Sequence, residues 1–165
     1  APAAGMTGMG VHLTDLMIWL FGPVDKVFAS TAKRALKFKT GDVVTASLQH
    51  SSGLNSQITA ILKTPHYQRV TIWGENGWVE LVDSSHPDTP GPSFMKIVMN
   101  DGTVKEENFE WTDTVSANIH NFIDSIEGKS KYLFTDVEKF QNISVLEAIY
   151  KSSLSKQNEK VESFN

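Results

Sequence analysis

The chain has 165 residues, no cysteine, and a net charge of −4 from 15 basic and 19 acidic side chains. That length allows one ordinary domain with its own core. The missing cysteines exclude disulfides and thiolate chemistry and fit a reducing, cytoplasmic setting. An acidic balance without a basic cluster argues against nucleic acid or an anionic membrane surface as partner.

At 40% hydrophobic and 21% charged residues the chain reads as globular. Its longest apolar run, Leu16 to Phe21, is too short to span a bilayer. The sequence opens at Ala1-Pro2 without a starting methionine and enters its first motif almost at once, which leads us to expect a piece of a longer protein.

That motif, "GMTGMGVHLTDLMIWLFG" from residue 5 to 22, sets glycines at 5, 8 and 10 ahead of His12. It predicts a helix through Val11, Leu16, Ile18, Leu20 and Phe21, stopped by Gly22-Pro23. The i, i+3, i+7 spacing puts His12, Asp15 and Trp19 on one face of it.

From Val24 to Trp111 the pattern is one of strands. "VDKVFASTAKRA", "DVVTASLQH", "LNSQITAIL", "YQRVTIWG", "WVELV", "FMKIVM" and "TVKEENFEW" are rich in β-branched and aromatic residues, and several alternate with period two. "HSSGL", "GENGW" and "MNDGTV" suit tight antiparallel hairpins, whereas "SSHPDTPGPS", Ser84 to Ser93, is a longer exposed loop.

The last third is helical. Val115, Ile119, Phe122, Ile123 and Ile126 form a stripe closed by Gly128. "TDVE", Thr135 to Glu138, is a capping box that opens a helix carried by Val137, Phe140, Ile143, Leu146 and Ile149. Beyond it the polar "SKQNEKVESFN" frays away.

The order predicts a single α+β domain over 1–165, an open and mostly antiparallel sheet of six to seven strands with helices on one face. Trp73, Trp78, Val79, Leu81, Ile97 and Met99 place apolar side chains on both sides of that sheet. Helices cover one side, so the other is expected to meet a second copy, and we expect a homodimer through the sheet.

His12 is the acid–base candidate with an informative setting. Glycines around it leave room for a ligand to approach. A helix N-terminus disfavours the imidazolium and Asp15 one turn on favours it, so the two effects oppose. The residues alone also allow a packed histidine in a Gly/Met motif, the commoner case.

His50, His66, His86 and His120 show no metal-ligand spacing, and no metal site is expected. There is no nucleophile elbow, phosphate loop or dinucleotide fingerprint; "GMTGMG" is spaced wrongly and follows no strand. "NIS" at Asn142 matches a glycosylation acceptor but falls inside a predicted helix.

Taken together, "GMTGMGVHLTDLMIWLFGPVDKVFA", "YQRVTIWGENGWVEL" and "VLEAIYKSS" resemble the C-terminal domain of the Gfo/Idh/MocA oxidoreductases, relatives of glucose-fructose oxidoreductase and inositol dehydrogenase. The resemblance covers nearly the whole chain. It implies a fold like the C-terminal domain of dihydrodipicolinate reductase, whose open sheet makes the oligomer interface. It also implies an N-terminal Rossmann domain that binds NAD or NADP and contributes a catalytic lysine, absent from these 165 residues.

By the same resemblance His12 is the catalytic residue that assists removal of the substrate hydroxyl proton. Asp15 belongs to the substrate pocket, and His66 and Tyr67 fall where relatives often contact substrate. No residue of this chain is implied in cofactor binding, and the chain alone is expected to bind no cofactor. Many dehydrogenase members carry an aspartate four residues before the histidine, where this chain has Gly8; that departure counts against an inositol-type reaction.

The function implied is the substrate-binding and oligomerisation domain of an NAD(P)-dependent oxidoreductase acting on a sugar, polyol or related hydroxylated compound. The alternatives are a stand-alone, non-catalytic sheet dimer that binds a small carbohydrate, and part of an NAD-using glycosidase of the same family.

Overall fold

The computed structural model describes residues 3–6, 10–86 and 89–163. In chain order the elements are α1 (Val11–Phe21), β1 (Val24–Ala32), β2 (Val43–His50), β3 (Asn55–Ile61), β4 (Gln68–Gly74), β5 (Gly77–Asp83), β6 (Ser93–Met99), β7 (Val104–Phe109), α2 (Thr114–Ile126), α3 (Asp136–Ser155) and β8 (Glu159–Lys160), after a 3-10 turn at Ala3–Gly5. They form two compact units, Ala1–Lys63 with Leu133–Asn165, and Thr64–Tyr132.

In the first unit the strands form an antiparallel sheet in the order β3-β2-β1-β8. Period-two alternation sorts its faces. The register aligns Val27 with Leu48 and Ser56, and Ala29 with Ala46 and Ile58, all of them buried. The opposite face carries Ser30, Thr45 and Thr59, short polar side chains that water can solvate.

Helix α3 covers the buried face, closing the core with Val145, Leu146, Ala148 and Ile149, and α1 packs on α3. The capping box at its start is formed: Thr135 N–H donates to Glu138 Oε2 at 2.8 Å and Glu138 N–H donates to Thr135 Oγ1 at 3.2 Å.

The face that α3 buries differs from the expected stripe. Leu146 and Ile149 point inward, but Val137, Phe140 and Ile143 are exposed, and the core phase is completed by Gln141, Asn142, Ser144 and Ser152. Each of three of these polar groups has a fixed partner. Gln141 donates to the Val24 carbonyl at 3.0 Å, Asn142 bonds α1, and the Ser152 hydroxyl accepts the Ala29 N–H at 2.8 Å while donating to the Gln157 carbonyl at 2.6 Å. Buried polar groups persist where such bonds are made.

The second unit is a meander, β4-β5-β6-β7, fully antiparallel, with tight turns at the predicted "GENG" and "NDGT" positions. Helix α2 follows, its first turn capped by Asp113, which accepts the Ser116 N–H at 2.9 Å. None of the described residues between Thr64 and Tyr132 is buried, and the α2 stripe Val115, Ile119, Phe122, Ile123 and Ile126 is exposed along its length.

The α+β class and all seven expected strands are present, divided between two four-stranded sheets. The eighth strand, β8, is two residues long and forms where the sequence reads as a fraying tail; buried Val161 anchors it beside β1.

Candidate functional site

Helix α1 begins after Gly10, which supplies no capping side chain. A methyl group at Gly10 would collide with the Met6 thioether, and Met6 is completely buried. The room left by this glycine is therefore filled by the chain's own methionine rather than kept for a ligand. Gly8 and its neighbours lie outside the described residues.

Thr14, Met17 and Ile18 turn inward, and the stripe anticipated from the spacing turns outward: His12 is exposed, Asp15 half-buried and Trp19 75% exposed. The structure so brings His12 and Asp15 together on the free face of one helix. Burial, and next the Glu138 carboxylate in the first turn of α3, push the Asp15 carboxyl above its ordinary value, while the His12 ring pulls it down. Glu138 itself is held low by the Thr135 backbone N–H of the capping box.

Both ends of α1 are tied down by buried polar side chains. At the start, the Thr14 hydroxyl donates to Asn142 Oδ1 at 2.5 Å and Asn142 Nδ2 donates to the Val11 carbonyl at 3.2 Å. At the other end Gly22 turns the chain at φ 83°, and its carbonyl lies 2.8 Å from His50 Nδ1. A carbonyl only accepts, so Nδ1 carries the proton and Nε2 accepts from the Ser56 hydroxyl at 2.9 Å. Phe21 meets the same ring edge-on at 5.5 Å. His50 is thus a structural latch.

His66 and Tyr67 belong to the second unit, directly ahead of β4, and both are exposed. The His66 ring stands edge-on to His86 at 6.2 Å, and the Arg69 guanidinium lies 6.0 Å from the Tyr67 ring centre, within reach of a cation–π attraction.

Among the described residues no group of three or more His, Cys, Asp or Glu side chains could hold a metal ion. Two hollows, of about 270 and 240 Å³, lie on strand faces and include none of His12, Asp15, His66 and Tyr67. Among the described residues no strand feeds a glycine loop into a helix N-terminus, the arrangement of a dinucleotide cradle.

Sequence reasoning passed over Thr14, Asn142 and His50. The signal for Asn142 was available, since Gln141 and Asn142 share the helical phase of Val145, Ile149 and Ser152. The "NIS" sequon is correspondingly unavailable to a glycosyl group, because Asn142 is buried and both polar atoms of its side chain are engaged.

Residues 5–162 match the sequence profile described as the oxidoreductase family, C-terminal alpha/beta domain, of the Gfo/Idh/MocA group. The chain belongs to the Gfo/Idh/MocA family. No curated protein sequence matches it.

Among solved structures, this family domain is similar to a Desulfitobacterium hafniense protein proposed as an NADPH-dependent oxidoreductase, with a TM-score of 0.83 at 17% identity over 97% of this chain and 48% of that one. It is similar to the aldose-aldose oxidoreductase of Caulobacter crescentus in complex with glycerol, with a TM-score of 0.79 at 16% identity over 95% and 47% of the two chains. It is also similar to the WlbA dehydrogenase of Bordetella pertussis in complex with NADH and UDP-GlcNAcA, with a TM-score of 0.72 at 22% identity over 99% and 46%. These likenesses are of fold, and the chain spans about half the length of each relative. Among the described residues no helix is long and apolar enough to cross a membrane.

Proposed function

We propose that this Gfo/Idh/MocA domain is the substrate side of a cytoplasmic NAD(P)-dependent oxidoreductase acting on a sugar, polyol or related hydroxylated compound. The observation that carries the reading is His12, exposed in the first turn of a helix whose opposite face is locked in the core, with Asp15 one turn away. The complexes of relatives with NADH and a nucleotide sugar, and with glycerol, support the substrate class.

The hydride acceptor is not this chain's to supply; a nucleotide-binding domain beyond these residues would hold it. What the chain contributes is the proton path. The neutral imidazole of His12 takes the hydroxyl proton, and the Asp15 carboxylate, which attracts the ring electrostatically, favours the imidazolium that results. His66 and Tyr67 present polar edges that suit substrate hydroxyls. The uncovered faces of the second sheet support association of two or more copies through it.

The test is a screen of sugars and polyols for NAD(P)H formation by the protein joined to its nucleotide-binding domain, followed by His12→Ala. Turnover is expected to fall by about 10²- to 10⁴-fold with cofactor affinity unchanged. Undiminished turnover removes His12 from the mechanism.

A further inference from the structure

The first turn of α1 carries His12 but has no cap of its own, since Gly10 offers no side chain. The Thr14 hydroxyl lies 3.3 Å from the Gly10 carbonyl and 3.1 Å from the Val11 carbonyl of its own turn, and its shortest partner is a residue 128 positions away in sequence. Asn142 accepts the Thr14 hydroxyl at 2.5 Å and donates to the Val11 carbonyl at 3.2 Å. Thr14 is fully buried and Asn142 is 8% exposed, so the bond between them is shielded from water, while that to the Val11 carbonyl is partly buried. The two bonds grip the residues on either side of His12 along the chain, and they do so on the helix face opposite the imidazole. We propose that Asn142 is a positioning residue for His12.

The geometry separates this role from ordinary packing. Helix α1 already has an apolar footing in Met17 and Ile18, which fixes its distance from the core but not its rotation or axial slip. Apolar contact is non-directional, whereas a two-point hydrogen bond of this kind has one register. The far end is held independently by His50 on the Gly22 carbonyl. Loosening the Asn142 end alone therefore lets the first turn shift about a fixed C-terminus, and it moves His12 more than any residue near Gly22. A pair needed only to fill space would be replaced without loss by apolar groups of the same shape.

The inference rests on the reading of His12 as the proton acceptor, but its test does not. Thr14→Val keeps the shape and removes the hydroxyl, Thr14→Ser keeps the hydroxyl, and Asn142→Leu removes both bonds. The readout is the NMR chemical shift of the His12 ring in the full chain, with the His50 ring as internal reference. The expected result is a displaced His12 ring signal in Thr14→Val and Asn142→Leu, an unmoved His50 signal, and wild-type behaviour in Thr14→Ser. In the active protein the same two variants lose up to about 10²-fold in kcat with little change in KM, the scale of a misplaced reacting group.

Should Asn142→Leu fail to fold, the Thr14→Val and Thr14→Ser pair decides alone. A His12 signal indifferent to loss of the Thr14 hydroxyl overturns the proposal whatever turnover does. Undiminished turnover in His12→Ala instead overturns the catalytic reading and leaves the NMR result standing.

Discussion

The two units are made of similar material and end in opposite conditions. Each has an antiparallel sheet of four strands with tight hairpins, and each carries a helix with an apolar stripe. In the first, Val27, Leu48, Val145 and Ile149 are fully buried between sheet and helix. In the second nothing described is buried, and Trp73 at the edge of its sheet is 76% exposed. The difference lies in which side chains face outward. Ser30, Thr45, Ser47, Gln57 and Thr59 make most of the outer face of the first sheet tolerable to water around the exposed Phe28 and Ile61, whereas the register of the second puts Trp73, Trp78 and Phe94 on one face and Ile72, Val79, Leu81 and Ile97 on the other. A sheet with large apolar side chains on both faces carries the requirement for a partner in its own sequence.

The comparison breaks most visibly on one leucine from each unit. Leu48→Ala opens a cavity in a closed core and is expected to cost about 2–5 kcal/mol. Leu81→Ala trims a half-exposed side chain and should cost about 1 kcal/mol or less in dilute solution, rising with protein concentration as copies associate. Denaturant unfolding at two concentrations checks this. Equal costs at low concentration would mean that the second sheet is covered within a single chain.

Element type was legible along nearly the whole chain because the devices that set it are local. Gly22-Pro23 ends α1, "TDVE" caps α3, and the three hairpin turns fall where Gly adjoins Ser, Asn or Asp. Coverage was less legible, because it depends on which faces meet. Periodicity assigned Val137, Phe140 and Ile143 to the core of α3, yet the buried phase runs through Gln141, Asn142 and Ser152, whose burial is tolerated only through bonds to Val24, Val11, Thr14 and Ala29. Those partners are more than 100 residues away, beyond any window of pattern reading. At the candidate site, the shared face of His12 and Asp15 followed from spacing alone. The use of Gly10 did not, since nothing local reveals that Met6 occupies the gap.

If the second sheet associates, its two faces are not equivalent. One is crossed by a row of charges, with Arg69 at 3.5 Å from Glu80 and Lys96 at 2.8 Å from Glu106. The other carries Val70, Ile72, Val79, Leu81, Met95 and Ile97 over its three inner rows, and its Lys105–Glu107 ion pair, at 3.2 Å, is confined to the edge strand β7. Interface cores are depleted in charge, so the second face is the expected meeting surface. Ile97→Lys should weaken self-association by at least about thirtyfold, with Trp73→Lys on the charged face having less effect, as read by sedimentation equilibrium. The reverse ranking would move the interface to the charged face.

The smallest effect concerns the loop between β1 and β2, where the first unit holds itself together without a hydrophobic contact. The buried Asp42 carboxylate accepts the backbone N–H groups of Arg34 at 2.6 Å, Ala35 at 2.6 Å and Leu36 at 2.7 Å. These bonds, that from Arg34 foremost, hold its carboxyl below the ordinary value of 3.8. A carboxyl lowered by folding stabilises the native state fully above its unfolded value, and the contribution is lost as pH falls through the lower folded value. Asp42→Asn replaces one accepting oxygen by an amide nitrogen that can only donate, so Tm at neutral pH should drop by about 5 °C. The gap between variant and wild type should hold steady from neutral pH down to the ordinary aspartate value and narrow below it. Among the described residues none of the second unit bonds Asp42, so the two units should respond differently. Hydrogen exchange of the β2 amides should quicken while that of β5 keeps its wild-type rate, and equal quickening in both would show that the two sheets unfold as one cooperative body.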